Sequence, residues 1–246
     1  MLDIKKLSAR IESVDTYSGN LKVFRLRLPE DSSFSFVPGQ FVMVSIPGLV
    51  DKNGRPVAKS YSIASSPSET GAIEMCIAKF ETGALSPLLF KAKTSDEVII
   101  TGPYGVFKLK SPVAPGTVFI AGGTGLAPLM SMIRYLYNSG HKEKLWLFYS
   151  VGEPSLFLFK DELMRYQKSN GLKLVVSTSN PNSDWQWEKG RASDTFPKYL
   201  QQLNGDEVPK ELRQFYVCGP PVMVKDTITM LEQLGFRKEN IHKEQW

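Results

Sequence analysis

Twelve residues constrain the fold of this chain more than any others: Thr117-Val-Phe-Ile-Ala121, followed at once by Gly122-Gly-Thr-Gly-Leu-Ala-Pro128. The apolar run has no polar alternation, as expected of a strand covered on both faces in a parallel sheet. The glycines make the turn, and Pro128 suits the first turn of a helix. Apolar spacing predicts that helix over 129–138, with Gly140 as its stop. A parallel strand needs a crossover before its neighbour can pair, so the rest of the chain should alternate. It does. Strands are expected at 145–151, 173–177, 214–218 and, briefly, 240–243. Helices are expected at 159–168, 193–203 and 221–233, with a long polar loop over 178–190. This is an α/β, Rossmann-like parallel sheet.

The residues before it read differently. Strands are expected at 7–14 and 21–28 around the turn Ser18-Gly19-Asn20. A third, at 41–46, opens from the turn Val37-Pro38-Gly39-Gln40. A polar loop over 48–56 leads to a strand around Tyr61, and further strands lie at 72–80 and 98–101. Gly102-Pro-Tyr-Gly105 is expected as a tight turn, and 85–92 is the one short helix candidate. Many short strands with turns between them predict a small antiparallel barrel or sandwich. Ser111-Pro-Val-Ala-Pro-Gly116 has the composition of a linker. The expected domains are therefore 1–112 and 113–246.

With 246 residues, 42% hydrophobic and 22% charged, the chain has an ordinary globular composition. It contains no apolar run of roughly eighteen residues, so no membrane span is expected. Met1-Leu-Asp-Ile-Lys-Lys lacks an apolar core and a cleavage site, so the expected compartment is the cytoplasm. The net charge of +5 divides as +3 through Pro112 and +2 after it. A charge so evenly spread, without a basic arm, argues against nucleic acid and permits an acidic protein partner. Two cysteines and two histidines are too few for an iron–sulfur cluster or a structural zinc. No metal site is expected.

Chemistry gathers at five places. In Lys59-Ser-Tyr-Ser62 a ring, hydroxyls and a cation suit a flat phosphorylated ligand, and equally suit a half-buried strand. Gly123 and Gly125 can bring backbone amides to a pyrophosphate at a helix N-terminus, or simply turn the chain. Cys218-Gly219-Pro220-Pro221 ends a strand in the same way; Cys218 reads as a ring contact or as a small buried apolar residue. The terminal Trp246 reads as an indole laid over a ring or as a partly packed surface residue. Gly83 allows close backbone approach, and Ser86 can cap a helix whose amide faces an anion.

Taken together, the chain resembles the ferredoxin–NADP reductase superfamily over nearly its whole length. Eight motifs occur in that family's order: Pro38-Gly-Gln-Phe41, Lys59-x-Tyr-Ser-x-x-Ser65, Gly83-x-Leu-Ser86, Gly102-Pro-Tyr-Gly105, Gly122-Gly-Thr-Gly-x-Ala-Pro128, Lys189-Gly-Arg191, Cys218-Gly-Pro-Pro221 and Glu244-x-Trp246. The resemblance implies an antiparallel β-barrel FAD-binding domain followed by the NAD(P)-binding α/β domain. It implies hydride transfer between NAD(P)H and flavin, with single electrons passed to a separate acceptor. That acceptor would be an acidic carrier such as ferredoxin or flavodoxin, or an oxygenase component.

By resemblance, Lys59, Tyr61, Ser62, Ser65, Gly83, Leu85 and Ser86 bind FAD. Gly123, Thr124, Gly125, Arg191, Cys218, Gly219 and Pro220 bind the nucleotide. Ser62, Cys218, Glu244 and Trp246 form the catalytic set. Lys59 stands where the family usually has Arg, which keeps the charge and loses the bidentate fork. Users of NADP tend to carry cations after the third strand of the nucleotide domain. Here the chain reads Ser177-Thr-Ser-Asn180, so NADH is favoured over NADPH. Trp185 and Trp187 can sandwich an adenine or pack on the sheet edge. Two alternatives stand beside a free-standing reductase: a subunit working only inside a larger complex, and a non-catalytic flavin or nucleotide sensor.

Overall fold

The structure is a computed structural model and describes residues 3–169, 171–205 and 208–245. It divides into two compact units. The first holds the residues up to Lys108 together with Met130–Asn138; the second holds Leu109–Leu129 and the residues from Ser139 on.

The first unit contains β1 (Lys5–Ser18), β2 (Leu21–Arg27), β3 (Phe41–Val50), β4 (Pro56–Ser62), β5 (Ala72–Ala78), α1 (Ser86–Leu89) and β6 (Glu97–Tyr104). They form an antiparallel sheet in the order β4-β3-β6-β1-β2-β5. The expected antiparallel domain is present, but its barrel is not closed by a continuous ladder: past the end of β4, one bridge, Ile63 to Met75, reaches β5. Alternate residues turn inward, and Phe24, Leu26, Val42, Val44, Ile63 and Ile100 build the core. Each such buried side chain contributes about 1.5–3 kcal/mol.

Three local expectations give way here. Gly102-Pro-Tyr-Gly105 is strand rather than turn as far as Tyr104, because a bare Gly102 lets β3 lie against it: a Cβ there would stand 2.9 Å from Val42 Cγ1. The chain turns only at Gly105, with φ +108°. The loop expected over 48–56 shrinks to 51–55, since β3 runs to Val50 and β4 starts at Pro56. Asp51 closes it by accepting from the amides of Asn53 and Arg55 at 2.8 and 2.9 Å. Finally, α1 has four residues rather than eight.

The second unit contains β7 (Val118–Gly122), α2 (Leu126–Asn138), β8 (Leu145–Val151), α3 (Lys160–Lys168) and β9 (Leu172–Thr178). After these come β10 (Glu188–Lys189), α4 (Ala192–Thr195), α5 (Leu200–Asn204), β11 (Phe215–Gly219), α6 (Pro221–Gln233) and β12 (Ile241–Gln245). The last nine residues of α2 count with the first unit. All strand pairs are parallel, in the order β10-β9-β8-β7-β11-β12. The helix expected over 193–203 is broken: a 3-10 turn at Phe196–Tyr199, with Pro197 inside it, separates α4 from α5. β10 lies in the loop expected to be irregular.

Every residue of β7 and β11 is buried. Val118, Ile120, Phe148, Phe196, Phe215 and Val217 form the core of one face. α6 starts on Pro221, whose missing N–H is one the first helical turn leaves unbonded anyway. From β7 the chain builds first through β8 and β9, then returns to the other side of β7 with β11. That reversal makes β7/β11 the switch point of the sheet, where ligands of open parallel sheets bind beyond the carboxyl ends.

Candidate active site

Both glycine turns lie at that switch point. Gly123–Gly125 is a 3-10 turn between the end of β7 and the start of α2. A Cβ on Gly125 would stand 2.3 Å from the Cys218 carbonyl oxygen and 2.7 Å from Gly219 N, so the two turns touch backbone to backbone. Gly123 has φ +54°, and a Cβ there would meet nothing within 4 Å. The space beside this turn is therefore open at a helix start, the place where backbone amides can meet a phosphate. Thr124 is half-buried beside it.

Cys218 pairs in register with Ala121 on one side and Glu244 on the other. Its side chain is buried, and its thiol is pushed up by burial first and by the Glu244 charge second. It is a neutral, small wall, not a thiolate. Burial raises the Glu244 carboxyl from 4.5 to about 7. Its Oε2 is shielded from solvent and finds no hydrogen-bond partner among the described residues. A carboxyl held half protonated at neutral pH, with an unused oxygen, is suited to an amide-bearing ligand. Pro220 caps α6, and Arg191 caps α4 with its side chain exposed. Trp246 lies outside the described residues.

The first unit gathers its own set. Tyr61 and Ser62 end β4, half-buried, opposite Val42 and Phe41. One side of Tyr61 packs on the core, and burial raises its hydroxyl to about 12. Lys59 is exposed on the same strand. Ser65 is fully buried, and its hydroxyl accepts from the Glu74 amide at 3.1 Å. That bond gives it a structural task. Leu85 is a core side chain, so only its backbone is left for a ligand. Ser86 does not cap α1, whose N-cap is Leu85 without a side-chain bond. Instead the Ser86 hydroxyl accepts from the Phe80 amide at 3.0 Å, folding 80–86 into a tight loop over Gly83.

Trp185 and Trp187 form no sandwich. Their centroids are 4.9 Å apart at 60°, Trp185 Nε1 donates to the Glu188 carbonyl, and Trp187 meets Phe157 edge-on. They pack on the sheet edge. Sequence reasoning passed over Glu74, Ser131 and Arg134, which bond the segment after Ser62. Only the polar spacing within α2 hinted at the last two. Among the described residues no cluster of three His, Cys, Asp or Glu can hold a metal, and no helix is long and apolar enough to cross a membrane.

One unit carries a switch-point glycine cradle and the other an aromatic-and-hydroxyl strand, the parts of a dinucleotide-handling protein. Comparison with known proteins makes the class specific. Residues 8–109 match the oxidoreductase FAD-binding domain, and 119–229 match the oxidoreductase NAD-binding domain. The chain is 31% identical to the sulfhydrogenase 2 subunit gamma of Pyrococcus furiosus, over 97% of this chain and 82% of that one. It is 28% identical to the propane 2-monooxygenase reductase component of Rhodococcus jostii, over 97% of this chain but 63% of that relative's length. A ferredoxin NADP+ reductase from Neisseria gonorrhoeae, solved with FAD and NADP, superposes with a TM-score of 0.83 at 22% identity, over 98% of both chains. This chain belongs to the ferredoxin–NADP reductase superfamily of FAD- and NAD-binding oxidoreductases.

Proposed function

We propose that this protein is a flavoprotein reductase that draws electrons from NADH and passes them to a separate protein acceptor. Residues 1–112 hold FAD and 113–246 hold the nucleotide. Bound FAD supplies the redox chemistry, accepting two electrons from the nicotinamide and releasing them singly. The protein's residues do the rest. Tyr61 offers a ring face, and Ser62 offers a hydroxyl to a ring nitrogen. Lys59 and the loop 83–86 serve the FAD diphosphate. Gly123, Thr124 and Gly125 offer amides to the nucleotide diphosphate, with Arg191 as a further cation. Gly219 and Pro220 carry the chain past Cys218 at the carboxyl end of β11, with the Gly219 backbone packed against Gly122 and Met223. Glu244 holds a proton on its carboxyl, and Trp246 closes the set.

The observation that carries this reading is the contact of the two glycine turns beside the unpartnered Glu244 oxygen. A buried carboxyl raised by its burial, at the meeting of the two turns, favours a reacting site over binding alone. NADH is favoured over NADPH on two grounds. Residues 177–180 carry no cation. Glu153 is exposed two residues past the end of β8, and an acid at the end of the second strand of such a sheet suits a ribose hydroxyl better than a 2′-phosphate. The decisive experiment is anaerobic stopped-flow mixing of the FAD-loaded protein with NADH or NADPH, following the flavin band near roughly 450 nm. Fast bleaching by NADH and slow bleaching by NADPH is expected; bound flavin that neither nucleotide bleaches overturns the reading. Glu153→Lys is expected to raise kcat/KM for NADPH relative to NADH about tenfold or more.

The acceptor is read as an acidic one-electron carrier or an oxygenase component, in line with relatives named as monooxygenase reductase components. A second reading has its own support: the 31% identical relative is named as a subunit. On that reading the chain works inside a larger complex, and native size measurement in extracts separates the two.

A further inference from the structure

The last nine residues of α2, which count with the first unit, carry three polar side chains at i, i+3 and i+7: Ser131, Arg134 and Asn138. This spacing places them on one helix face. Each reaches the segment that follows β4. Ser131 Oγ donates to the Ser65 carbonyl at 2.7 Å, Arg134 Nη1 to the Ala64 carbonyl at 3.0 Å, and Asn138 Nδ2 to Ser68 Oγ at 2.9 Å. Ser131 and Arg134 are buried, so neither exchanges these bonds for water. The Arg134 charge is answered by Glu74, whose Oε2 lies 2.5 Å away with little exposure on either side.

Glu74 grips the same segment from β5. Its carbonyl accepts from the Ala64 amide at 2.7 Å, and its amide donates to Ser65 Oγ. One residue earlier, the Ile63 amide donates to the Gln40 carbonyl at 3.0 Å. From 63 to 65 the chain is therefore held from the residue before β3, from β5 and from α2. This is far more than a surface turn needs. A buried ion pair is weak as a source of stability, since its desolvation offsets its attraction. What it supplies is a fixed position. The fixed point lies two residues beyond Ser62 and three beyond Tyr61.

We infer that Ser131, Arg134 and Asn138 are positioning residues: they lock the backbone at 64–68 so that the Tyr61 ring and Ser62 hydroxyl are presented to the flavin in one geometry. This rests on the reading of Tyr61 and Ser62 as flavin contacts. Freed from the clamp, the segment keeps its bonds to Gln40 and Glu74 but loses the three from α2, and the ring gains freedom to move.

The test uses the full chain loaded with FAD, with Ser131→Ala, Arg134→Lys, Asn138→Ala and, as a reference, Tyr61→Ala. Three quantities are read: the FAD dissociation constant, the fluorescence of bound flavin at saturating FAD, and the melting temperature without FAD. The expected result is a dissociation constant raised about tenfold in Ser131→Ala and Arg134→Lys, with a smaller rise in Asn138→Ala. Bound-flavin fluorescence is expected to rise in step, towards the value of Tyr61→Ala. Should Arg134→Lys fail to fold, the two milder variants decide. Wild-type affinity and fluorescence in the clamp variants, with Tyr61→Ala altered, overturn the clamp and leave the flavin reading standing, whatever the melting temperatures do. An unaltered Tyr61→Ala overturns the flavin reading itself, and the inference with it.

Discussion

Glu244 shows how one residue can report on a site. In the unfolded chain its carboxyl ionises near 4.5; in the folded chain burial moves this to about 7. Below pH 4.5 the group is neutral in both states and imposes no penalty. As pH rises towards and through 7, the unfolded chain gives up the proton readily while the folded chain must ionise a desolvated group, so the stability contributed by the neutral carboxyl is lost. Glu244→Gln removes the titration. Between pH 5 and 8 the wild type is expected to lose about 1–2 kcal/mol relative to that variant, allowing for screening at a partly exposed site. Denaturant midpoints at the two pH values give the answer, and parallel pH profiles contradict it. Cys218, its register partner across the ladder, is raised by burial too, and its thiol stays protonated and contributes shape. Sequence alone left Cys218 open between ring contact and buried apolar residue; its burial bears out the second description without removing the first.

At the scale of elements, the contact between the two glycine turns is the joint on which the sheet's ligand end depends. Gly125→Ala places a methyl 2.3 Å from a backbone oxygen that cannot rotate away. The expected cost is about 3 kcal/mol or more, with weakened nucleotide binding as β11 is forced outward. Gly123→Ala, at φ +54° in open space, is expected to cost only about 1 kcal/mol. Urea unfolding of both variants, with equal m-values, tests the contrast; equal losses would mean the turns are not in contact in solution. The elements themselves were largely legible. β7, β8 and α6 announce themselves through unbroken apolar runs and a helix-starting proline, since burial on both faces leaves no polar residue to blur the pattern. What stayed hidden depends on partners distant in sequence. Arg134 and Glu74 are sixty positions apart, so no local pattern joins them. The Gly102–Tyr104 strand is set by the approach of β3, which overrides the turn preference of Gly-Pro. Trp185 and Trp187 stayed open between an adenine sandwich and packing on the sheet edge because Phe157 and Glu188 could not be placed beside them.

At the scale of the whole molecule, the two units have separate cores, and each carries a modest positive charge rather than one strongly basic face. Any preference for an acidic acceptor must then come from a local cluster. The first unit has one. Lys22, Lys79 and Lys91 line a cavity of about 510 Å³ together with Phe90. Lys22 and Lys79 stand over the Phe90 ring at 5.0 and 5.9 Å, and Lys22 is further tied to the Phe90 carbonyl. Lys79 is paired with Glu81 at 2.7 Å, which leaves exposed Lys91 as the cation best able to meet a carboxylate on a partner. Such rim charges act on encounter rate and fade with salt, because exposed charges are screened over roughly 8–10 Å at physiological ionic strength. Lys91→Glu is therefore expected to slow reduction of an acidic carrier protein several-fold at low salt and to flatten its salt dependence. Reduction of a small neutral acceptor by the same variant should be unchanged, because nothing in that encounter is steered by the cluster. An unaltered rate and salt slope with the protein acceptor would move the docking face away from this cavity, while a slowed rate with both acceptors would place the damage in the flavin unit rather than in its surface.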